Sequence, residues 1–143
     1  MKYIVIIAVL FLSSGVAFGD EAAIPSFSKK PMKFKVEHKV SNSEKAVDEL
    51  LLGDITESNL TFWFLFIRTN YHICSMSGSA KSIAKNTYQY SVGDCNLRIT
   101  IESGQATVDD VGGKCSHSDQ DNNITSCGSR GYIGKTILSL VNE

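Results

Sequence analysis

Cys95-Asn96-Leu97-Arg98-Ile99-Thr100-Ile101-Glu102-Ser103-Gly104 alternates without a break. Cys95, Leu97, Ile99 and Ile101 are apolar; Asn96, Arg98, Thr100 and Glu102 are polar. Successive side chains of a strand point to opposite faces, so this pattern predicts a half-buried β-strand with Cys95 turned inward. Ser103-Gly104 reads as a two-residue turn and Gln105 to Val111 as the returning strand.

The same period recurs upstream. Tyr88, Tyr90 and Val92 alternate with Gln89 and Ser91, and Met32, Phe34 and Val36 alternate with Lys33, Lys35 and Glu37, which predicts a first strand near 32–40. Leu60 to Ile67 is almost wholly apolar. It is too short to span a membrane and rich in strand formers, so it reads as a central strand covered on both faces, with Trp63 buried opposite Phe62, Phe64 and Phe66. Tyr71 to Cys74 continues or follows it. One segment departs from the period. Ser41-Asn42-Ser43-Glu44 fits a helix capping box, Ala46, Val47, Leu50 and Leu51 share one helical face, and Gly53 offers a stop. These features predict one helix at about 42–52. Downstream, Gly112-Gly113 turns toward Cys115, residues 116–126 form a long polar loop, and Tyr132 to Val141 is a last strand or a short helix.

The N-terminus has a different character. Lys2 precedes an apolar run from Tyr3 to Leu12, and Ala17 and Gly19 fill the small-residue positions before Asp20. This is the layout of a secretory signal with cleavage after Gly19. The stretch from Tyr3 to Phe18 is 16 residues and contains Ser13, Ser14 and Gly15, whereas a membrane span wants about 20 apolar residues. Residues 20–31, with Pro25 and Pro31, read as a flexible leader, and residues 32–143 as a single domain. Five lysines between Lys29 and Lys39 fit a solvated or charged strand edge, or a patch for an anionic partner.

Composition narrows the function. The chain has 143 residues, 43% hydrophobic, with a net charge of −1, which suits one folded domain and gives no basic excess for nucleic acid. Cys74, Cys95, Cys115 and Cys127 all follow the signal. An even number in a small exported chain reads as two disulfides. Three connectivities are open; Cys74–Cys95 with Cys115–Cys127 is favoured because both close local loops. Zinc held by His72, Cys74, Cys115 and His117 is the rival, but it leaves Cys95 and Cys127 over.

Catalytic motifs are incomplete. Gly134-Lys135-Thr136 ends like a P-loop, yet Ser129 stands where the first glycine belongs. Asp119 to Asn123 imitates a calcium loop, but Ile124 and Arg130 occupy the glycine and glutamate positions. No G-x-S-x-G elbow surrounds a serine, and His38, His72 and His117 include no distinctive base. No cofactor or metal is expected. Asn59-Leu60-Thr61 and Asn123-Ile124-Thr125 are glycosylation sequons.

From His72 onward the chain resembles small exported four-cysteine bacterial proteins of unknown role. The residues that carry this are His72-x-Cys74, Gly78, Ala80, Tyr88, Cys95-x-Leu97, Cys115, Cys127-Gly128-Ser129-Arg130-Gly131 and Gly134. More loosely, the compact disulfide-bearing β architecture is similar to periplasmic inhibitors of c-type lysozyme. Those present a Ser-Gly-x-x-Tyr loop to the enzyme's cleft; here Ser77-Gly78 is followed by Lys81 at the tyrosine position.

The expectation is therefore an α+β, mainly β domain: an antiparallel sheet of about six strands curled into a small barrel or sandwich, with one N-terminal helix and two disulfides. The expected function is that of a periplasmic or secreted non-enzymatic binding protein, an inhibitor or immunity-type protein that neutralises a cell-wall-attacking enzyme or toxin. An envelope hydrolase and a structural accessory of an envelope complex are the alternatives. The partner is expected to be a protein, held by loops 75–85 and 116–130, with Lys81 and Arg130 as contact residues.

Overall fold

The computed structural model describes residues 22–117, 125–127 and 131–142. The signal segment 1–19, the calcium-like run Asp119 to Asn123, the second sequon's Asn123 and Arg130 lie outside the described residues. Nine strands follow in order: β1 (Met32–Lys39), β2 (Lys45–Gly53), β3 (Asn59–Arg68), β4 (His72–Ala84), β5 (Thr87–Val92), β6 (Cys95–Glu102), β7 (Gln105–Asp110), β8 (Thr125–Cys127) and β9 (Lys135–Leu140). Strands β1 to β6 each pair antiparallel with the next, and β9 pairs with both β7 and β1. The result is a closed antiparallel barrel of eight strands, with β8 lying outside the ring against β4.

Period two fills the inside. Phe34, Leu50, Leu52, Leu60, Phe62, Phe64, Phe66, Met76, Leu97, Ile99 and Leu138 are all fully buried. An eight-strand barrel is just wide enough for side chains to occupy its axis, and here they do. Phe64 and Phe66 stack at 4.3 Å, and Tyr90 meets Phe62 edge-on at 5.5 Å. Tyr90 fits because β4 has a glycine beside it: a Cβ on Gly78 would lie 2.8 Å from the Tyr90 ring. Burial of Tyr90 pushes its phenol pKa upward.

Trp63 points outward, yet it is only 3% exposed. Residues 22–28 cross the outer face of β2, β3 and β4 and cover it. The Trp63 indole N–H donates to Ala22 O at 2.8 Å, and the Ala22 N–H donates to Ser75 Oγ at 2.7 Å. Phe27 packs in the notch left by Gly53, and Ser28 bonds to Asp54. The central strand is thus covered on both faces, by phenylalanines within and by this N-terminal strap without.

The turns follow the local chemistry. Ser103 and Gly104 both have positive φ (49° and 76°), the two-residue turn that matches strand twist. The β3–β4 connection is a single 3₁₀ turn, Thr69–Tyr71, that ends with Tyr71 at φ 58°.

Three expectations are corrected. The helix at 42–52 is strand β2. Its inward residues are Ala46, Asp48, Leu50 and Leu52, and Asp48 is fully buried. A carboxylate in the inward set breaks apolar alternation and makes the helical period look better. The strand count is eight in the barrel rather than six, because β2, β4 and β9 were not all legible as separate strands. The disulfides join Cys74 to Cys127 and Cys95 to Cys115. Strand β5 lies between β4 and β6 and meets β4 only from Lys81 to Ala84, so Cys74 and Cys95 stand at least two strand spacings apart, more than about 10 Å. A disulfide spans Cα separations of no more than about 7 Å. Cys127 instead sits directly opposite Cys74 in the β4–β8 pairing.

Non-reducing peptide mapping should recover Cys74 with Cys127 and Cys95 with Cys115. Reduction should remove about 3–4 kcal/mol of stability per bridge in the chain-entropy picture, read as a fall in urea midpoint. Recovery of a Cys74–Cys95 peptide would contradict the barrel order.

Candidate functional site

The barrel's two ends are built differently. At one end the described parts of the β7–β9 connection, residues 111–117, 125–127 and 131–134, pack against the barrel. Cys115 and Ile133 from this connection are fully buried, and the two disulfides tie it to β4 and β6. Beneath the cap lies Arg68, the last residue of β3, turned inward. Its guanidinium donates to Asp48 Oδ2 at 2.6 Å, Ile133 O at 2.6 Å, Thr136 Oγ1 at 2.8 Å and Tyr132 O at 2.9 Å. The other Asp48 oxygen accepts the Ile67 N–H at 2.7 Å and lies 3.1 Å from His38 Nε2. The Phe66 and Tyr132 rings sit against the guanidinium at 4.8 and 5.4 Å. Asp110 accepts the Cys115 N–H and the Ser116 hydroxyl, and Ser116 Oγ accepts the Ile133 N–H. These buried polar groups satisfy one another and hold the cap in place.

The opposite end carries two grooves. The β2–β3 loop, residues 54–58, forms a ridge between two grooves of about 350 and 620 Å³. The ridge is stiff. The Thr56 N–H donates to Asn59 O at 2.8 Å, the Thr56 hydroxyl bonds to Asn59, and the Tyr88 hydroxyl donates to Thr56 O at 3.0 Å. The Ser82 N–H anchors Ser58 O from the neighbouring strand. Ile55 lines both grooves and is 39% exposed. Met32 and Ile83 are also exposed. A bulge between Ser82 and Ala84 in β4 leaves Ile83 unpaired and turned to solvent.

Charge divides the lysines in two. Lys33 and Lys35 reach Glu49 at 3.8 and 2.8 Å, and Lys45 pairs with Glu37. The hydrogen bond that Lys45 donates to Glu37 raises the Lys45 pKa. Lys29 and Lys30 line one open-end groove and Lys85 the other. Together with Lys81 these are exposed, and among the described residues they make no ion pair.

Lys81 lies on the outer face of β4, opposite Asn59 on one side and Gln89 on the other. The segment 75–85, expected as a loop, is corrected: all but Lys85 is strand β4. Its inward residues include Gly78 and Ala80, and its outward ones are Ser75, Ser77 and Ser79, so the alternation carries little hydrophobic contrast. Ser77-Gly78 accordingly lies within a strand. The four cysteines form two disulfides as expected, which leaves the rival Cys₂His₂ zinc set without Cys74 and Cys115. Among the described residues no cluster of three or more His, Cys, Asp or Glu is arranged to hold a metal. The sequence reading missed the ridge. Its signal was Ile55 alone among polar residues between Gly53 and Asn59.

No protein-family model, curated protein or solved structure matches the chain.

Arg68→Met should cost about 3–5 kcal/mol in a denaturant titration, because it strands the buried Asp48 carboxylate. The pair Arg68→Met with Asp48→Leu should cost far less than the two single changes summed, and additive costs would show that the two charges are not coupled.

Proposed function

We propose that the protein is an exported, non-enzymatic binding protein of the inhibitor or immunity type, and that its open end neutralises a cell-wall-attacking enzyme or toxin. One observation carries this reading: a rigid, hydrogen-bonded ridge with Ile55 on it, flanked by two grooves and by the unpaired cations Lys29, Lys30 and Lys85. Pre-ordered loops lose little entropy on binding, so a stiff ridge is an efficient insert for a partner's cleft. Along these grooves Lys29, Lys30 and Lys85 outnumber Asp54 and Glu57, which favours a cleft lined by acids. Glycan-cleaving enzymes carry paired carboxylates in such a cleft.

Other features support export. The first 19 residues have the order of a secretory signal, and two disulfides are compatible with an oxidising compartment. The envelope-hydrolase alternative is disfavoured by the use of Asp48, Arg68 and His38, which are engaged with one another inside the barrel.

The test is clearance of a cell-wall suspension by muralytic enzymes with and without the protein. Wild type should slow at least one enzyme. Ile55→Glu and Lys85→Glu should each weaken inhibition at least tenfold with an unchanged melting temperature. Inhibition that survives both changes would place the binding surface elsewhere. No inhibition of any muralytic enzyme would overturn the reading.

A further inference from the structure

The two disulfides are not equivalent. Cys95 and Cys115 are both fully buried. A polar network closes over that bridge: Asp110 accepts the Cys115 N–H and the Ser116 hydroxyl, and Ser116 Oγ accepts the Ile133 N–H. In the other bridge Cys74 is fully buried, but Cys127 is only half-buried. Cys127 is thus the one cysteine that a reagent in solution meets without the barrel opening. Thiol–disulfide exchange requires access to one of the two sulfurs, so exposure decides which bridge reacts.

The accessible bridge also stands where the sheet is thinnest. Strand β8 is three residues long, and among the described residues it pairs with β4 alone: Cys127, Ser126 and Thr125 lie opposite Cys74, Ser75 and Met76. Strand β5 meets β4 only from Lys81 to Ala84, so over residues 74–76 β8 is the partner of β4 on that side, with β3 on the other. A short strand with a single neighbour is marginal in water, and the covalent bond is what keeps this one in place. Closure of the barrel does not pass through it. Strand β9 pairs with β7 and β1, and Arg68 holds Asp48 and Thr136.

We propose that Cys74–Cys127 is a redox latch: a dithiol reductant opens it selectively, β8 leaves β4, and the barrel stays folded with Cys95–Cys115 intact. A thiolate of the reductant attacks Cys127 Sγ. A mixed disulfide forms, the bond to Cys74 breaks, and the Cys74 sulfur leaves with the electron pair and takes up a proton. The reductant's second thiol loses its proton and attacks its own sulfur in the mixed disulfide, and Cys127 leaves as a thiolate and is protonated. The dithiol ends as a disulfide and the bridge as two thiols. The opened state bares the backbone edge of β4 at residues 74–76. The latch lies at the capped end and does not rest on the function proposed for the open end.

The experiment treats the intact oxidised protein with graded dithiothreitol. Samples are quenched with iodoacetamide over time and the alkylated peptides are mapped. Cys74 and Cys127 should become alkylated at least tenfold faster than Cys95 and Cys115. In the selectively reduced protein, hydrogen exchange across residues 74–76 and 125–127 should quicken at least tenfold, while β6, β7 and β9 keep their protection. Opening of both bridges together, or of Cys95–Cys115 first, would overturn the proposal. So would selective reduction that leaves exchange at 125–127 unchanged, or that strips protection from the whole barrel.

Discussion

The Asp48–Arg68 pair is the interaction on which the capped half of the barrel depends. Strand β1 reaches β9 through only two residue pairs, Phe34 with Leu140 and Lys35 with Ser139. Beyond those, near the cap, the two strands have no ladder to hold them. Arg68 spans this region from inside: from β3 it holds Asp48 of β2, Thr136 of β9 and the carbonyls that lead into β9. A buried ion pair gives little net stability compared with apolar packing. What it supplies here is direction, because a guanidinium with four defined acceptors admits one arrangement of the closing strand. Hydrophobic side chains in the same space would pack in several.

The barrel's filled axis bears on what it can do. Small barrels serve either as cups for a ligand or as solid frames. Four fully buried phenylalanines from β1 and β3, with leucines from β2, β6 and β9, make this one a frame. Its grooves therefore lie on the outside, beside the ridge of residues 54–58 and beside the strap of residues 22–28.

Much of this was legible in the sequence. β1, β5 and β6 follow from alternation, β3 from its apolar run, and β7 from the Ser103-Gly104 turn that returns the chain. The outward burial of Trp63 follows from an apolar run that needs cover on both faces. The failures share a cause. Asp48 hides β2 because an inward carboxylate is allowed only if something distant neutralises it, and Arg68 lies twenty residues away. The inward Gly78 hides β4 because its size is set by Tyr90 on another strand. The disulfide pairing was misassigned because it depends on which strands are neighbours. The ridge was missed because its stiffness comes from Tyr88 and Ser82, which only the closed barrel brings to it.

The closure of β9 against β1 also has a kinetic meaning. A ring that joins its first and last strands has its most distant contacts at the seam, and such contacts form slowly. Until residues 135–140 are available, β1 and β7 are open edges and Arg68 lacks the acceptors at the start of β9. A chain of this topology closes its ring only once β9 is in place between β7 and β1.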